Sequence, residues 1–250
     1  MNTPTKQRNF VLPTGRDLAK RIGTLDWMRV SHELDTSGCA VIPHLVAPDD
    51  CHAIAALYPD DSIFRSHIYL HRHGFGHGEY KYFRYPLPDL IEDMRATFYH
   101  HLAPIANRWH EQMRLLTRFP ARHDEFIVRC HAARQESPTP LLVQYVAEDY
   151  NCMHQDLYGE HVFPLQVVIL LAKPGLDFSG GEFVLTEQRP RMQSRAEVVP
   201  MAQGDALIFT VQHRPVVGTR GSHRVNIRHG VSRIRSGLRH TLGIIFHDAA

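Results

Sequence analysis

Pro140 divides the chain into two textures, and that division constrains the fold more than any other feature. Beyond it come seven short β-prone runs, LLVQYV, FPLQVVILL, GGEFVLTE, AEVVP, DALIFTV, RVNIRHGVSRI and RHTLGIIF, separated by turn residues. Lys173-Pro174-Gly175, Ser179-Gly180-Gly181, Gln203-Gly204-Asp205 and Arg235-Ser236-Gly237 are where reversals belong. Several short strands with regular turns predict a double-sheet jelly roll or barrel, whose open end is a natural pocket.

The first 140 residues read mainly helical. Leu18, Ile22, Leu25 and Met28 or Arg29 recur at helical spacing over residues 16–34, with Gly38 as the stop. A short strand over 39–43 leads to a second helix announced by Pro48, Asp49 and Asp50. Residues 90–116 repeat the helical spacing, with Pro104 expected to kink or break it, and another helix is expected over 123–134. The expected fold class is therefore α+β: a jelly-roll (double-stranded β-helix) core with N-terminal helices packed on one face. We expect one domain over 1–250, with 1–140 as helical support and 141–250 as the catalytic core.

With 250 residues, 43% of them hydrophobic and 22% charged, the chain is long enough for one substantial core. Residues 1–20 hold no apolar signal-peptide core, and eighteen consecutive apolar residues occur nowhere, so a cytoplasmic protein that does not span a membrane is expected. Cys39, Cys51, Cys130 and Cys152 form no C-x-x-C pair and read as reduced, mostly buried thiols. The formal charge is only +2, but segment 189–239 has ten arginines, no lysine and two acids, a net +8 that leaves −6 elsewhere. Such a segment suits nucleic acid, or merely solvates strand faces.

The chemistry-bearing stretch is His154-Gln155-Asp156, just after LLVQYV. In extended chain, side chains two apart face the same way, so an imidazole and a carboxylate can converge on one ion. A distant second histidine would complete a facial triad with open positions for iron(II). With 19 histidines, such pairs also arise by accident, and His77/Glu79 and His123/Glu125 are two more. The first lies in a glycine-rich stretch and the second in a helical one, where positions two apart diverge. For His154/Asp156 the competing reading is a hydrogen-bonded pair on a surface turn.

Around that pair, residues 141–248 resemble the 2-oxoglutarate/iron(II) oxygenase superfamily, in particular its prolyl-hydroxylase-like and DNA-alkylation-repair branches. The resemblance is carried by His154-Gln-Asp156, Gly204-Asp205-Ala-Leu-Ile-Phe209, His229-Gly-Val-Ser, Arg239 ten residues further, and the final RHTLGIIF. HQDLYGEHVFPLQ, DFSGGEFVLTEQRPRMQSR, HGVSRIRSG and HTLGIIFHD are similar to a bacterial family labelled as oxygenases acting on damaged nucleic acid. The resemblance implies iron(II), 2-oxoglutarate and dioxygen as cofactors, with His154, Asp156 and His229 as metal ligands. It implies that Arg239, Tyr145 and Thr241 hold oxoglutarate, guanidinium being a bidentate match for its far carboxylate. Tyr145 as a core aromatic and Thr241 as a plain strand residue are the competing readings. His213 competes with His229 as third ligand; His229 is preferred because its run is expected to pair as a hairpin with the last strand, which carries Arg239.

His73-Gly74-Phe75-Gly76-His77-Gly78 does not match dinucleotide-binding spacing, and with Tyr80, Tyr82 and Phe83 behind it reads as an aromatic loop near the site or an ordinary hairpin. Three functions follow. The first is a dioxygenase hydroxylating a small molecule or amino-acid-like substrate while oxoglutarate is decarboxylated to succinate. The second is an oxidative demethylase of alkylated nucleic acid, using segment 189–239. The third is a cupin-like metal-binding protein without turnover.

Overall fold

The structure, a computed structural model, describes residues 15–189, 191–218 and 221–250. Its helices are α1 (Gly15–Gly23), α2 (Trp27–Ser37), α3 (Pro48–Ala55), α4 (Asp89–Gln112) and α5 (His123–Ala132). In chain order its strands are β1 (Cys39–Ile42), β2 (Phe64–Tyr69), β3 (Gly76–His77), β4 (Glu79–Phe83), β5 (Leu141–Val146), β6 (Tyr150–His154) and β7 (Leu165–Leu170). There follow β8 (Phe178–Gly180), β9 (Phe183–Gln188), β10 (Arg195–Val199), β11 (Ala206–Thr210), β12 (His213–Gly218), β13 (Gly221–Val231) and β14 (Ile234–Ile244). The protein is mixed α/β and rich in β-sandwich.

The larger sheet runs β1-β11-β7-β14-β5-β4-β2, with β8 against β14; the smaller runs β10-β9-β13-β6-β3, with β12 against β13. Side chains that alternate along the larger sheet serve its two faces. Val167, Ile169, Ala206, Ile208, Leu242 and Ile244 share a buried cluster with Leu18, Val30, Leu34, Met94, Phe98 and Trp109 of the helices. The intervening Leu207 and Phe209 pack instead with Phe183, Leu185, Val225 and Ile227 of the smaller sheet. Each Val, Leu, Ile, Met or Phe side chain buried in this way contributes roughly 1.5–3 kcal/mol relative to exposure. Behind the sheet, Arg95 of α4 donates to the Ile245 carbonyl at 2.8 Å and to Asp248 at 2.7 Å, clamping the end of the chain to this helix.

Four features differ from the sequence reading. The helix expected over 16–34 is two helices, because the Asp26 side chain accepts from Arg29 N and restarts the chain as α2. Met28 is then 85% exposed while Val30 and Leu34 are buried, and Gly38 ends α2 in the left-handed conformation. Pro104 lies inside an unbroken α4, where fully buried Phe98, Leu102 and Trp109 hold both sides of the position. The first half also supplies strands β2 and β4, which extend the larger sheet past β5.

The fourth difference concerns the final hairpin. β13 pairs with β6, β9 and β12, whereas β14 pairs with β5, β7 and β8. Ser232 and Arg233 therefore carry the chain from one sheet to the other, so His229 and Arg239 belong to separate sheets instead of facing across a hairpin. The cause is local: Ser232 N donates to the Glu182 carbonyl and Glu148 N to that of Ile234, which turns β14 away from β13. No described helix is long and apolar enough to cross a membrane. The four cysteines are free; Cys51 and Cys130 are buried and Cys152 is exposed.

Candidate metal centre

β6 delivers His154 at its last residue, directly opposite His229 of β13. The register slips after that pair, a bulge of the kind that re-aims side chains. Gly230 sits at the slip because a Cβ there would lie 2.7 Å from the Asn151 carbonyl. The next residue, Gln155, donates to the Ile227 carbonyl at 2.7 Å and to Asn226 Oδ1 at 2.8 Å. Tied down in this way, the chain turns Asp156 back toward both histidines.

His154 Nε2 lies 3.4 Å from Asp156 Oδ1, and His229 Nε2 lies 3.3 Å from Asp156 Oδ2. One donor atom from each of the three residues falls within 4.8 Å of the others, the only such His/Cys/Asp/Glu group among the described residues. His154 Nδ1 is 2.8 Å from the Cys152 carbonyl, which can only accept, so Nδ1 donates there and Nε2 is the atom turned toward the Asp156 carboxylate. Two imidazoles and one carboxylate fit a divalent first-row metal with positions left open, and the chemistry of the donor set is that of iron(II) oxygenases.

The surroundings strengthen those charges. Phe75 stands 5.8 Å from His154, and Phe183 and Phe209 stand 5.9 and 4.7 Å from His229, centroid to centroid. Burial by itself would raise the Asp156 carboxyl, but His229 and His154 beside it outweigh burial and hold it well below the usual carboxylate range. Burial pulls His229 down against the opposing pull of Asp156. His154 also loses by burial, but its hydrogen bond and proximity to Asp156 carry it upward. Tyr158 OH donates to Asp156 Oδ1 at 2.8 Å and orients the carboxylate.

The triad opens into a cavity of about 350 Å³ between the sheets, and Arg239, Tyr145 and Thr241 line it as well. Arg239 and Tyr145 are cross-strand partners on β14 and β5, and Thr241 shares their face two residues along. The Arg239 side chain is 2% exposed, and its Nε has no hydrogen-bond partner. No carboxylate lies within ion-pair distance of it among the described residues, and burial pulls its pKa down to about 10. A buried guanidinium without a counter-ion is a site made for an anion. Burial pushes the Tyr145 phenol up, so the hydroxyl stays a neutral donor.

His213 lies elsewhere, on β12 opposite Asn226 and outside the triad. Glu79 is held by His67 and Gln144, and His123 Nε2 meets the Phe246 carbonyl, so neither further H-x-E pair gathers ligands. The glycine-rich stretch folds over the site: β3 pairs with β6, and Phe75 and His73 line the cavity. Gly78, at φ 121°, permits this approach, since a Cβ there would lie 2.3 Å from the Tyr145 ring. Tyr80 and Tyr82, read from the sequence as aromatics near the site, line the cavity, whereas sequence reasoning missed Arg65, Tyr158 and Gln166. Only Tyr158 carried a local signal, two residues past the H-x-D pair.

A family model described as an oxygenase, catalysing oxidative methylation of damaged DNA, matches residues 78–249. An uncharacterised protein of Mycobacterium tuberculosis, present in two strains, is 47% identical over 165 residues, 66% of this chain and 71% of the relative. In fold the chain is similar to a Pseudomonas putida prolyl-4-hydroxylase, with TM-score 0.54 and 13% identity over 90% of this chain and 100% of the other. It is also similar to a Trichoplax adhaerens prolyl hydroxylase in complex with a hypoxia-inducible-factor peptide fragment, with TM-score 0.52 and 14% identity over 93% of each chain.

Proposed function

The chain belongs to this oxygenase family, within the 2-oxoglutarate/iron(II) oxygenase superfamily, and on that premise we propose that it oxidises a small organic or amino-acid-like substrate inside the cavity while 2-oxoglutarate is decarboxylated to succinate. The observation that carries this reading is the pairing, in one cavity, of the His154–Asp156–His229 triad with the counter-ion-free guanidinium of Arg239. Bound iron(II) and oxoglutarate supply the dioxygen activation that no side chain can perform. In this reading His154, Asp156 and His229 hold the metal, and Tyr158 keeps the Asp156 carboxylate turned toward it. Arg239 grips the far carboxylate of oxoglutarate, Tyr145 and Thr241 add hydroxyl donors, and Phe75, Phe183 and Phe209 exclude water. Asp156 fills a position that halogenation would need vacated, so hydroxylation or oxidative demethylation is the outcome. We read the two sheets as a jelly-roll core backed by the N-terminal helices, with 141–250 as catalytic core and 1–140 as support in one domain.

Action on alkylated nucleic acid is the second reading, favoured by the family description and by a groove lined by Arg189, Arg191, His213 and Arg224. Against it, part of the arginine-rich segment is satisfied internally. Glu187 alone receives Arg214, Arg189 and Arg195, and Arg233 pairs with Glu148. The deciding experiment measures iron-dependent succinate release with ascorbate, in the presence of small metabolites or methylated oligonucleotides. We expect metabolites to stimulate it more. Formaldehyde release from a methylated strand, with steeply salt-dependent binding that replacement of Arg189 and Arg191 flattens, would select the second reading. No succinate in any condition would leave a metal-binding protein without turnover.

A further inference from the structure

The cavity holds a second cation besides Arg239. Arg65 sits at the bulge of β2, where the register against β4 slips between Phe64 and Ser66, and its side chain joins the lining. Nε donates to the Pro138 carbonyl at 2.8 Å, and the guanidinium lies over the Tyr82 ring, 4.5 Å from its centroid. These contacts fix the plane of the group; Arg65 is itself exposed, so water solvates its charge when no ligand is bound, and no carboxylate lies within ion-pair distance of it among the described residues. Asp248, whose charge reaches Arg65 at longer range, is already taken by Arg95, His131 and Tyr85.

Other lining residues suggest what the cavity awaits. Gln166 is 5% exposed and lines the same cavity, with a carbamoyl oxygen that has no partner. Leaving such a group unpaired is unfavourable, and a ligand N–H or O–H would satisfy it. Tyr80, Tyr82 and Tyr158 form an edge-to-face row of phenols along the wall, and Tyr158 ends it by donating to Asp156. Leu141 and Ile245 complete an apolar surface. Arg239 lies apart, beside Tyr145 on β14, so the cavity has one cation for each of two anions.

We infer that the cavity wall carrying Arg65 is the substrate subsite, and that it takes a small molecule with a carboxylate or phosphate-monoester head group on an aromatic or apolar body, with Gln166 of β7 as a further polar contact across the cavity. The inference rests on the proposed reading that Arg239 serves oxoglutarate. Arg65 would meet the head group in a charge-assisted, bidentate contact, and the tyrosine wall would lead the body toward Asp156.

The test is calorimetric titration of the anaerobic iron(II)–oxoglutarate protein, and of the metal-free protein, with benzoate, phenyl phosphate and neutral benzamide. We expect at least one anion to bind and benzamide not to. Arg65→Gln should weaken the anion at least about tenfold, and Arg65→Lys less, because it keeps charge without the fork. Unchanged melting temperatures would show that both variants fold. The stronger of benzoate and phenyl phosphate identifies the head group. Absence of anion binding, equal binding of benzamide, or wild-type affinity in Arg65→Gln would overturn the inference. So would loss of the anion only in Arg239→Gln, which would place it at the oxoglutarate end. Failure of oxoglutarate itself to bind would sink the enzyme reading separately, because anion binding by the metal-free protein still reports on Arg65.

Discussion

Replacing Arg239 with alanine should abolish tight oxoglutarate binding without unfolding the protein, and the structure sets the scale of both effects. The guanidinium is 2% exposed with no acid beside it, so oxoglutarate's far carboxylate would be desolvated against this one cation. Truncating one partner of such a pair costs about 2–5 kcal/mol, which at 1.4 kcal/mol per decade is roughly 30- to 4,000-fold in Kd. Stability should move the other way. Burial that draws the Arg239 pKa to about 10 corresponds to about 3 kcal/mol of desolvation carried by the ligand-free fold, less what the lost stem contacts return. Arg239→Met, which keeps the stem and removes the charge, should therefore melt no lower than wild type without ligand, and Arg239→Lys should recover part of the affinity. The assay is anaerobic titration of oxoglutarate into the iron(II) protein, followed by its weak visible charge-transfer band and by calorimetry, with iron affinity measured in parallel. Wild-type oxoglutarate affinity in Arg239→Ala would refute the reasoning and move the anchor to another arginine. A large drop in melting temperature for Arg239→Met would refute the desolvation argument.

His154→Ala, Asp156→Ala and His229→Ala should each abolish the charge-transfer band, whereas His213→Ala should leave it, since His213 is outside the triad; the reverse result for the two histidines would reassign the third ligand. Asp248 is fully buried, and although burial would raise it, Arg95 and the hydrogen bonds from Arg95, His131 and Tyr85 hold its carboxyl below the ordinary value. Its contribution is therefore present above the unfolded-state pKa of about 3.9 and is lost as pH falls through the lower folded value. Asp248→Asn should cost about 3–5 kcal/mol near neutrality by leaving Arg95 uncompensated, and chemical denaturation across pH should show a shallower acid limb. An acid limb as steep as that of wild type would rule out Asp248 as its cause.

What the sequence by itself determined is what local chemistry encodes. Alternating runs and turn residues beyond Pro140 specify strands, because period-two burial is written into adjacent residues. Gly38 stops a helix by its own backbone freedom, and His154-Gln-Asp156 places an imidazole and a carboxylate two apart whatever the rest of the chain does. Arg239, Tyr145 and Thr241 stood out only through spacing shared with a known family. The tertiary structure decided everything that depends on which distant segments meet. It put β13 and β14 in different sheets, so no hairpin joins His229 to Arg239, and it is the register of β13 on β6 that brings His229 beside Asp156 and leaves His213 outside the group. It brought β2 and β4 to the edge of the larger sheet, where Glu79–Phe83 shows no clean alternation, and so supplied Arg65, Tyr80 and Tyr82 to the cavity. It also gathered Arg189, Arg195 and Arg214 on Glu187, reducing the free charge that a count along the chain had assigned to segment 189–239. Charge and hydropathy add up along a sequence, but ion pairing and cavity lining depend on non-local register, which sheet closure alone establishes.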